Sequence, residues 1–353
     1  MKNENRTISV SGGGKSPYIE NLRAIATIAV VFLHINMTLV ANYSAKEIGI
    51  QNYVIFNDCY ILVKWAVPCF IMISGALLLN PERHVDYRKI AKYIKRMVGV
   101  LLTFGVAYAL MELIFSEKDI SISLVIKACY NTLQGKSWSH MWYIYMLIGL
   151  YLITVPLRYI VEKVTHRELE MMILTLLIGT FLIPSINTIL GASIENFMLI
   201  SEYIVWYLLG YYLSVTERKL LKLAVPGAVL SALTMIMTEN VSILLTADSF
   251  ALNHQTKNIF TLLLGSSVFV IVKECSKGDN NKKHRFRDMI CLNSFAIYLI
   301  HPFFINVIYK VFNFTPLSMP IIIGIVSLFL VVIAFSVIGG IILRKIPIVK
   351  NLV

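Results

Sequence analysis

The sequence predicts an all-α, polytopic transmembrane helix bundle of about ten spans, with both termini cytoplasmic. Three observations predict it. Only 15% of the 353 residues are charged and 57% are hydrophobic, whereas a soluble domain carries about 25% charged residues. Apolar runs recur along the chain at a length close to the ~20 residues that cross a bilayer. The basic residues gather in alternate loops.

Residues 1–17 are polar, include Ser11-Gly12-Gly13-Gly14, and read as a disordered cytoplasmic tail. Gly14-Lys15-Ser16 resembles the end of a phosphate-binding loop. Ser9 stands where that motif needs glycine, and no strand precedes it, so the match fails. The remainder, 18–353, reads as one membrane domain. Its apolar segments fall near 19–41, 57–79, 93–115, 141–160, 170–190, 197–215, 221–238, 257–273, 290–310 and 318–343. The first is too long for a signal-peptide core and no small-residue cleavage site follows it. The seventh and eighth are the least sharply bounded, and 246–257 fits either a loop or part of a longer span.

Charge sets the orientation. With the N-terminus inside, 25 of the 32 Lys and Arg residues lie on the inner side, six on the outer side, and Lys64 within a span. That asymmetry places the basic loops in the cytoplasm and favours an even number of spans. The net charge of +12 is therefore explained by anionic lipid and not by nucleic acid. The five cysteines form no C-x-x-C pair, which excludes thioredoxin-like and cysteine-cluster metal sites. Cys59 and Cys129 fall on the outer side, where pairing is open, although free thiols are the simpler reading. No H-E-x-x-H or similar ligand spacing occurs, so no catalytic metal is expected. No pair of Gly/Pro-broken segments marks an inverted repeat, which disfavours a secondary transporter.

Ionisable groups inside spans are the candidate functional residues. Arg23 and His34 are 11 positions apart, within 20° of three full turns, so they share one helix face about 16 Å apart along the axis. Glu20 and Thr27 fall on the same stripe. Such a stripe faces a bundle interior or cavity; the plainer alternatives are a structural histidine and an arginine reaching the inner headgroups. Lys64 lies at the depth of His34 in the second span, and the two are expected to share a pocket near Asp58. Reaching the outer headgroups is the alternative for Lys64. Pro68 follows and frees backbone groups that a cavity must satisfy. His140 opens the fourth span beside Trp142 and Tyr143, which also suit an aromatic belt. His301 sits mid-span before Pro302. Glu112 and Glu202 lie near outer span ends and rank low. The stretch Arg83 to Arg96 holds six basic residues, suited to lipid phosphate or to an anionic cytosolic ligand.

Taken in order, these segments resemble acyltransferase family 3, bacterial membrane proteins that O-acylate surface glycans. Tyr18-Ile19-Glu20-Asn21-Leu22-Arg23 and the run to His34 are similar to the family's opening span, with its basic-x10-histidine motif. Val67-Pro68 through Ser74-Gly75, with Lys64 before it, is similar to the second span. Ser139-His140-Met141-Trp142 resembles the His-x-Trp segment, Tyr203 to Leu213 the sixth span, and Tyr298-Leu299-Ile300-His301-Pro302 the Tyr-Leu-x-His-Pro segment. Where some members carry Arg-x-x-Arg, this chain has Lys92-Tyr93-Ile94-Lys95-Arg96. Some members also carry a C-terminal esterase-like domain. This sequence stops at Val353, so the membrane domain is expected to act alone or to hand its acyl group to another protein.

The resemblance implies a multi-pass protein of the bacterial cell membrane. It would move an acyl group, most simply acetyl, from cytosolic acetyl-CoA or another acyl-CoA to a hydroxyl of an extracytoplasmic glycan or lipid-linked sugar. Arg23, Lys92, Lys95 and Arg96 would hold the CoA phosphates. His34 would act as general base or itself accept the acyl group, with Lys64 stabilising the oxyanion. Asp58, His140, Trp142 and His301 would line the substrate pocket. Two other readings fit the same polar stripe: export of a polysaccharide or lipid-linked sugar without acyl transfer, and a membrane sensor that binds without turnover.

Overall fold

The computed structural model describes residues 16–117, 121–191, 201–249, 253, 255, 257–279 and 284–353. Most of the tail expected to be disordered, together with Lys118, Lys282 and Lys283, lies outside the described residues. Among those described there is no β-strand, and the fold is a bundle of helices. These are α1 (Pro17–Asn42), α2 (Ile50–Leu62), α3 (Ala66–Leu78), α4 (Tyr87–Glu117), α5 (Ile122–Leu133), α6 (Trp142–Lys163), α7 (His166–Leu190), α8 (Glu202–Val215), α9 (Leu221–Thr246), α10 (Ile259–Cys275), α11 (Arg285–Lys310) and α12 (Ile321–Leu343).

Among the described residues eight helical stretches are long and apolar enough to traverse a bilayer by length and composition, α2 and α3 together making the second of them. Helices α8, with 14 residues, and α10, with 17, are shorter. Both fall short of a full span and pack inside the bundle. The seventh segment runs on to Thr246, eight residues past the end its hydropathy suggested at 238.

Local sequence explains the helix starts. Pro17 occupies the first turn of α1, where its missing N–H costs nothing. Asp86 accepts a hydrogen bond from the Lys89 N–H at 2.8 Å and caps α4. Thr165 and Glu168 cap each other's backbone at the start of α7. Asn258 accepts from the N–H groups of Phe260 and Thr261 at the start of α10.

At the end of the bundle where α1 begins, charged side chains tie elements together. Arg287 meets Glu20 at 3.6 Å and Asp279 at 3.1 Å, while Asn21 donates to Ser276 at 2.9 Å. Arg158 is 7% exposed and donates to the carbonyls of Leu78 and Asn80 at 2.8 and 2.7 Å, closing the end of α3. Lys273 does the same for α8 through the carbonyls of Leu213 and Thr216. These cations complete helix ends left short of donors.

Helices α3 and α8 make the closest crossing. A Cβ at Gly75 would overlap the Tyr207 carbonyl, and one at Gly210 would overlap the backbone of Met72. Two glycines thus let the backbones touch, the means by which helices associate where no hydrophobic force acts between them. Around this crossing Ile71, Met72, Trp206, Tyr207 and Phe181 form the largest core cluster. A second core joins α4, α6 and α11, and a third joins α1, α11 and α12. The site lies where these meet.

Candidate active site

Helix α1 carries Arg23 and His34 on one face, and both line a cavity of about 750 Å³. The His34 Nδ1 lies 2.9 Å from the Val30 carbonyl oxygen and 3.1 Å from the His301 Nε2. The His301 Nδ1 lies 2.8 Å from the Ile297 carbonyl oxygen. A carbonyl only accepts, so each Nδ1 carries a proton, by inference from its partner. His301 Nε2 is then an acceptor for the His34 Nδ1–H. His34 Nε2 keeps a free lone pair and has no hydrogen-bond partner among the described residues. Both hydrogen-bonded carbonyls sit one turn back on the same helix, so backbone geometry fixes both rings.

His140 precedes α6 on a single helical turn and is 3% exposed. Its Nε2 is buried without a hydrogen-bond partner among the described residues. Its ring lies 6.2 Å from that of His301 and 5.3 Å from that of Tyr108. Tyr298 donates to the His140 carbonyl at 2.6 Å, and Tyr108 donates to the Leu299 carbonyl at 2.6 Å. Helix α4 widens into a π-helical turn at Leu101–Gly105. The Gly105 carbonyl there accepts from Ser137 at 2.8 Å, anchoring the loop that carries Trp138 and His140.

A second cavity, of about 420 Å³, includes Thr38, Glu112, Asn131, Lys136, Trp138 and Asn306 in its lining. His34, Met37, Ser139 and His140 line both cavities. Trp138 stacks on Tyr108 at 4.3 Å and donates to Glu112 at 3.2 Å. Both volumes fall in the range of small-molecule sites.

The larger cavity holds three guanidinium groups toward the end where α1 begins: Arg23, Arg96 and Arg344. Arg96 donates to the Leu352 carbonyl at 3.0 Å and lies 5.1 Å from the centre of the Phe295 ring. Arg344 donates to the Leu292 carbonyl at 2.7 Å. Among the described residues none of the three forms an ion pair, whereas Arg287 and Arg158 do. Donors of this kind, without a carboxylate, suit phosphate oxygens.

The other expected residues fall in different places. Lys64 lines the larger cavity, donates to the Asn253 carbonyl and lies 5.6 Å from the centre of the Tyr60 ring. Trp142 lines it too, packed on Tyr203 at 5.4 Å. Lys92 and Lys95 are exposed and belong to neither lining. Asp58 is half-buried, accepts from Asn240 at 3.3 Å, and also lies off both cavities. His301 is fully buried behind His34 and touches neither cavity. Glu112 and Glu202, ranked low from their positions near span ends, line the smaller and larger cavities respectively. All five cysteines are free, Cys59 and Cys129 included.

Two site residues were not singled out from sequence. Arg344 follows the last apolar segment and carries no motif that marks it. Tyr298 was read only as part of a motif; its hydroxyl holds the His140 backbone.

The model of the family described as acyltransferase domain matches residues 16–344. The chain belongs to acyltransferase family 3. Among curated proteins, it is similar to the probable poly-beta-1,6-N-acetyl-D-glucosamine export proteins of Staphylococcus aureus strains MSSA476 and MW2. Each is 22% identical over 347 residues, covering 92% of this chain and 91% of theirs. No solved structure matches the chain. Family 3 membership and the run of apolar helices make it a multi-pass bacterial membrane protein.

Proposed function

We propose that this protein transfers an acyl group, in the simplest case acetyl, from acyl-CoA to a hydroxyl of an extracytoplasmic glycan. The observation that carries the proposal is the His34 Nε2 lone pair on a ring that lines two cavities, one of them holding three arginines without ion-pair partners among the described residues. In this reading the N-terminal face is cytoplasmic, as the basic loops require. The CoA phosphates sit against Arg23, Arg96 and Arg344, and the thioester arm extends along α1 to His34. The acceptor sugar enters the smaller cavity from the opposite face.

The chemistry follows from the two tautomers. The acceptor hydroxyl gives its proton to His34 Nε2 as its oxygen attacks the thioester carbonyl. The imidazolium so formed is stabilised through Nδ1–H, which already faces two acceptors, the Val30 carbonyl and His301 Nε2. The Lys64 ammonium faces the same cavity and offsets charge on the tetrahedral oxygen. The carbon–sulfur bond then breaks. The CoA sulfur takes the proton back from His34, giving an ester, free CoA thiol and neutral imidazole.

Export without chemistry is the second reading, motivated by the names of the Staphylococcus aureus relatives. A polymer needs one continuous path. A histidine with a free ring nitrogen at the place where two cavities share their lining is a chemical group that passage alone does not need, and it favours transfer. The deciding experiment supplies radiolabelled acetyl-CoA and glycan acceptor to purified protein in vesicles. Release of CoA with label in the glycan, lost in His34→Ala, is the expected result. Glycan movement across the vesicle without consumption of acyl-CoA would reject it.

A further inference from the structure

The second crossing is interrupted between α2 and α3, at residues 63–65, and Lys64 sits in that break. A lysine there has a flexible stem and three donors. Left to itself it would sample many positions. Its ammonium is instead held by the backbone carbonyl of Asn253. Asn253 is itself fixed: its side-chain amide donates to the Met235 carbonyl at 2.9 Å, to Thr238 at 3.1 Å and to the Glu239 carboxylate at 3.0 Å.

Glu239 is fully buried in α9, a helix otherwise made almost entirely of uncharged residues. Its other carboxylate oxygen accepts from Asn57 on α2. An isolated carboxylate in such apolar surroundings would be strongly disfavoured. Here two amides hold its oxygens, and one of them belongs to Asn253, the residue whose carbonyl accepts from Lys64. The arrangement leads from a buried acid, through a clamped asparagine, to an ammonium on the wall of the larger cavity.

We propose that Glu239 is a positioning residue for Lys64, fixing the ammonium through Asn253 and supplying its counter-charge from outside the cavity. The inference rests on the acyl-transfer reading, in which Lys64 faces the reacting carbonyl. Glu239 touches neither cavity and acts only through its neighbours.

The test is a double-mutant cycle on the full chain in vesicles, with acetyl-CoA as donor. Glu239→Gln should lower kcat about ten-fold with the KM for acetyl-CoA unchanged, a size typical of coupled neighbours. The same substitution in a Lys64→Met background should cost nothing further. Equal losses in both backgrounds would mean that Glu239 acts independently of Lys64 and would overturn the proposal. Should Glu239→Gln fail to fold, the double variant, which removes both charges together, is compared with Lys64→Met alone. Matching rates support the proposal and a further loss overturns it. Absence of acyl transfer by the wild type would overturn both readings. Wild-type transfer with additive losses overturns this one alone.

Discussion

The Nε2 of His301 lies 3.1 Å from the Nδ1 of His34, across 267 residues of sequence, and accepts a hydrogen bond from its N–H. The ring that lines both cavities is thus oriented by one that lines neither. His301→Phe keeps an aromatic ring but removes the acceptor. Expected is a drop in kcat of about 10²-fold, near the lower end for general-base catalysis, with the KM for acetyl-CoA little changed. Steady-state kinetics on vesicle-embedded protein measures it, and a wild-type kcat would show that the His34 orientation is set elsewhere.

The three guanidinium groups separate binding from chemistry. Arg23→Gln and Arg344→Gln should each raise the KM for acetyl-CoA about ten-fold, the size of one charge-assisted hydrogen bond. Lys92→Gln and Lys95→Gln, both exposed and off the cavity, should leave it unchanged. Isothermal titration with CoA in detergent provides the same comparison without turnover.

Close approach of α3 and α8 predicts a strong size dependence. Gly75→Ala and Gly210→Ala each place a methyl group on a neighbouring backbone atom that cannot move aside. Each should destabilise the protein by about 1–3 kcal/mol or more, as overpacking does. Gly149→Ala, with open space around it, should be neutral. Thermal unfolding in detergent, followed by tryptophan fluorescence, ranks the three.

The latch beside the start of α1 predicts a pH effect. The hydrogen bond from His284, then that from Asn21, holds the Asp279 carboxyl below the usual carboxylate range. A depressed carboxyl stabilises the fold above its ordinary value of about 4 and loses that contribution as pH falls through the folded-state value. The difference in Tm between wild type and Asp279→Asn should therefore be largest near neutrality and vanish in acid. A constant difference would show that the carboxylate charge is not what holds the loop.

The helical architecture was legible because lipid demands long apolar runs and the cytoplasmic face collects cations. The Arg23 and His34 pairing was legible because it needs only the turn of one helix. The rest depends on contacts between distant segments. His301 reads from sequence as a pocket residue, and only tertiary packing sets it behind His34. Asp58, expected beside Lys64, accepts from Asn240 and lines neither cavity, whereas Glu239 shares the Asn253 contact with Lys64. Glu239 was missed because the hydropathy of the seventh segment fades at 238, while the helix runs on to Thr246. Lys92 and Lys95 share a basic stretch with Arg96, and charge alone does not tell which of them turns inward.

Two hollows that share the same few side chains bring different surroundings to one imidazole: arginines line the larger, while a carboxylate, amides and a lysine line the smaller. A donor and an acceptor of unlike chemistry could each be held by its own hollow and still meet at His34.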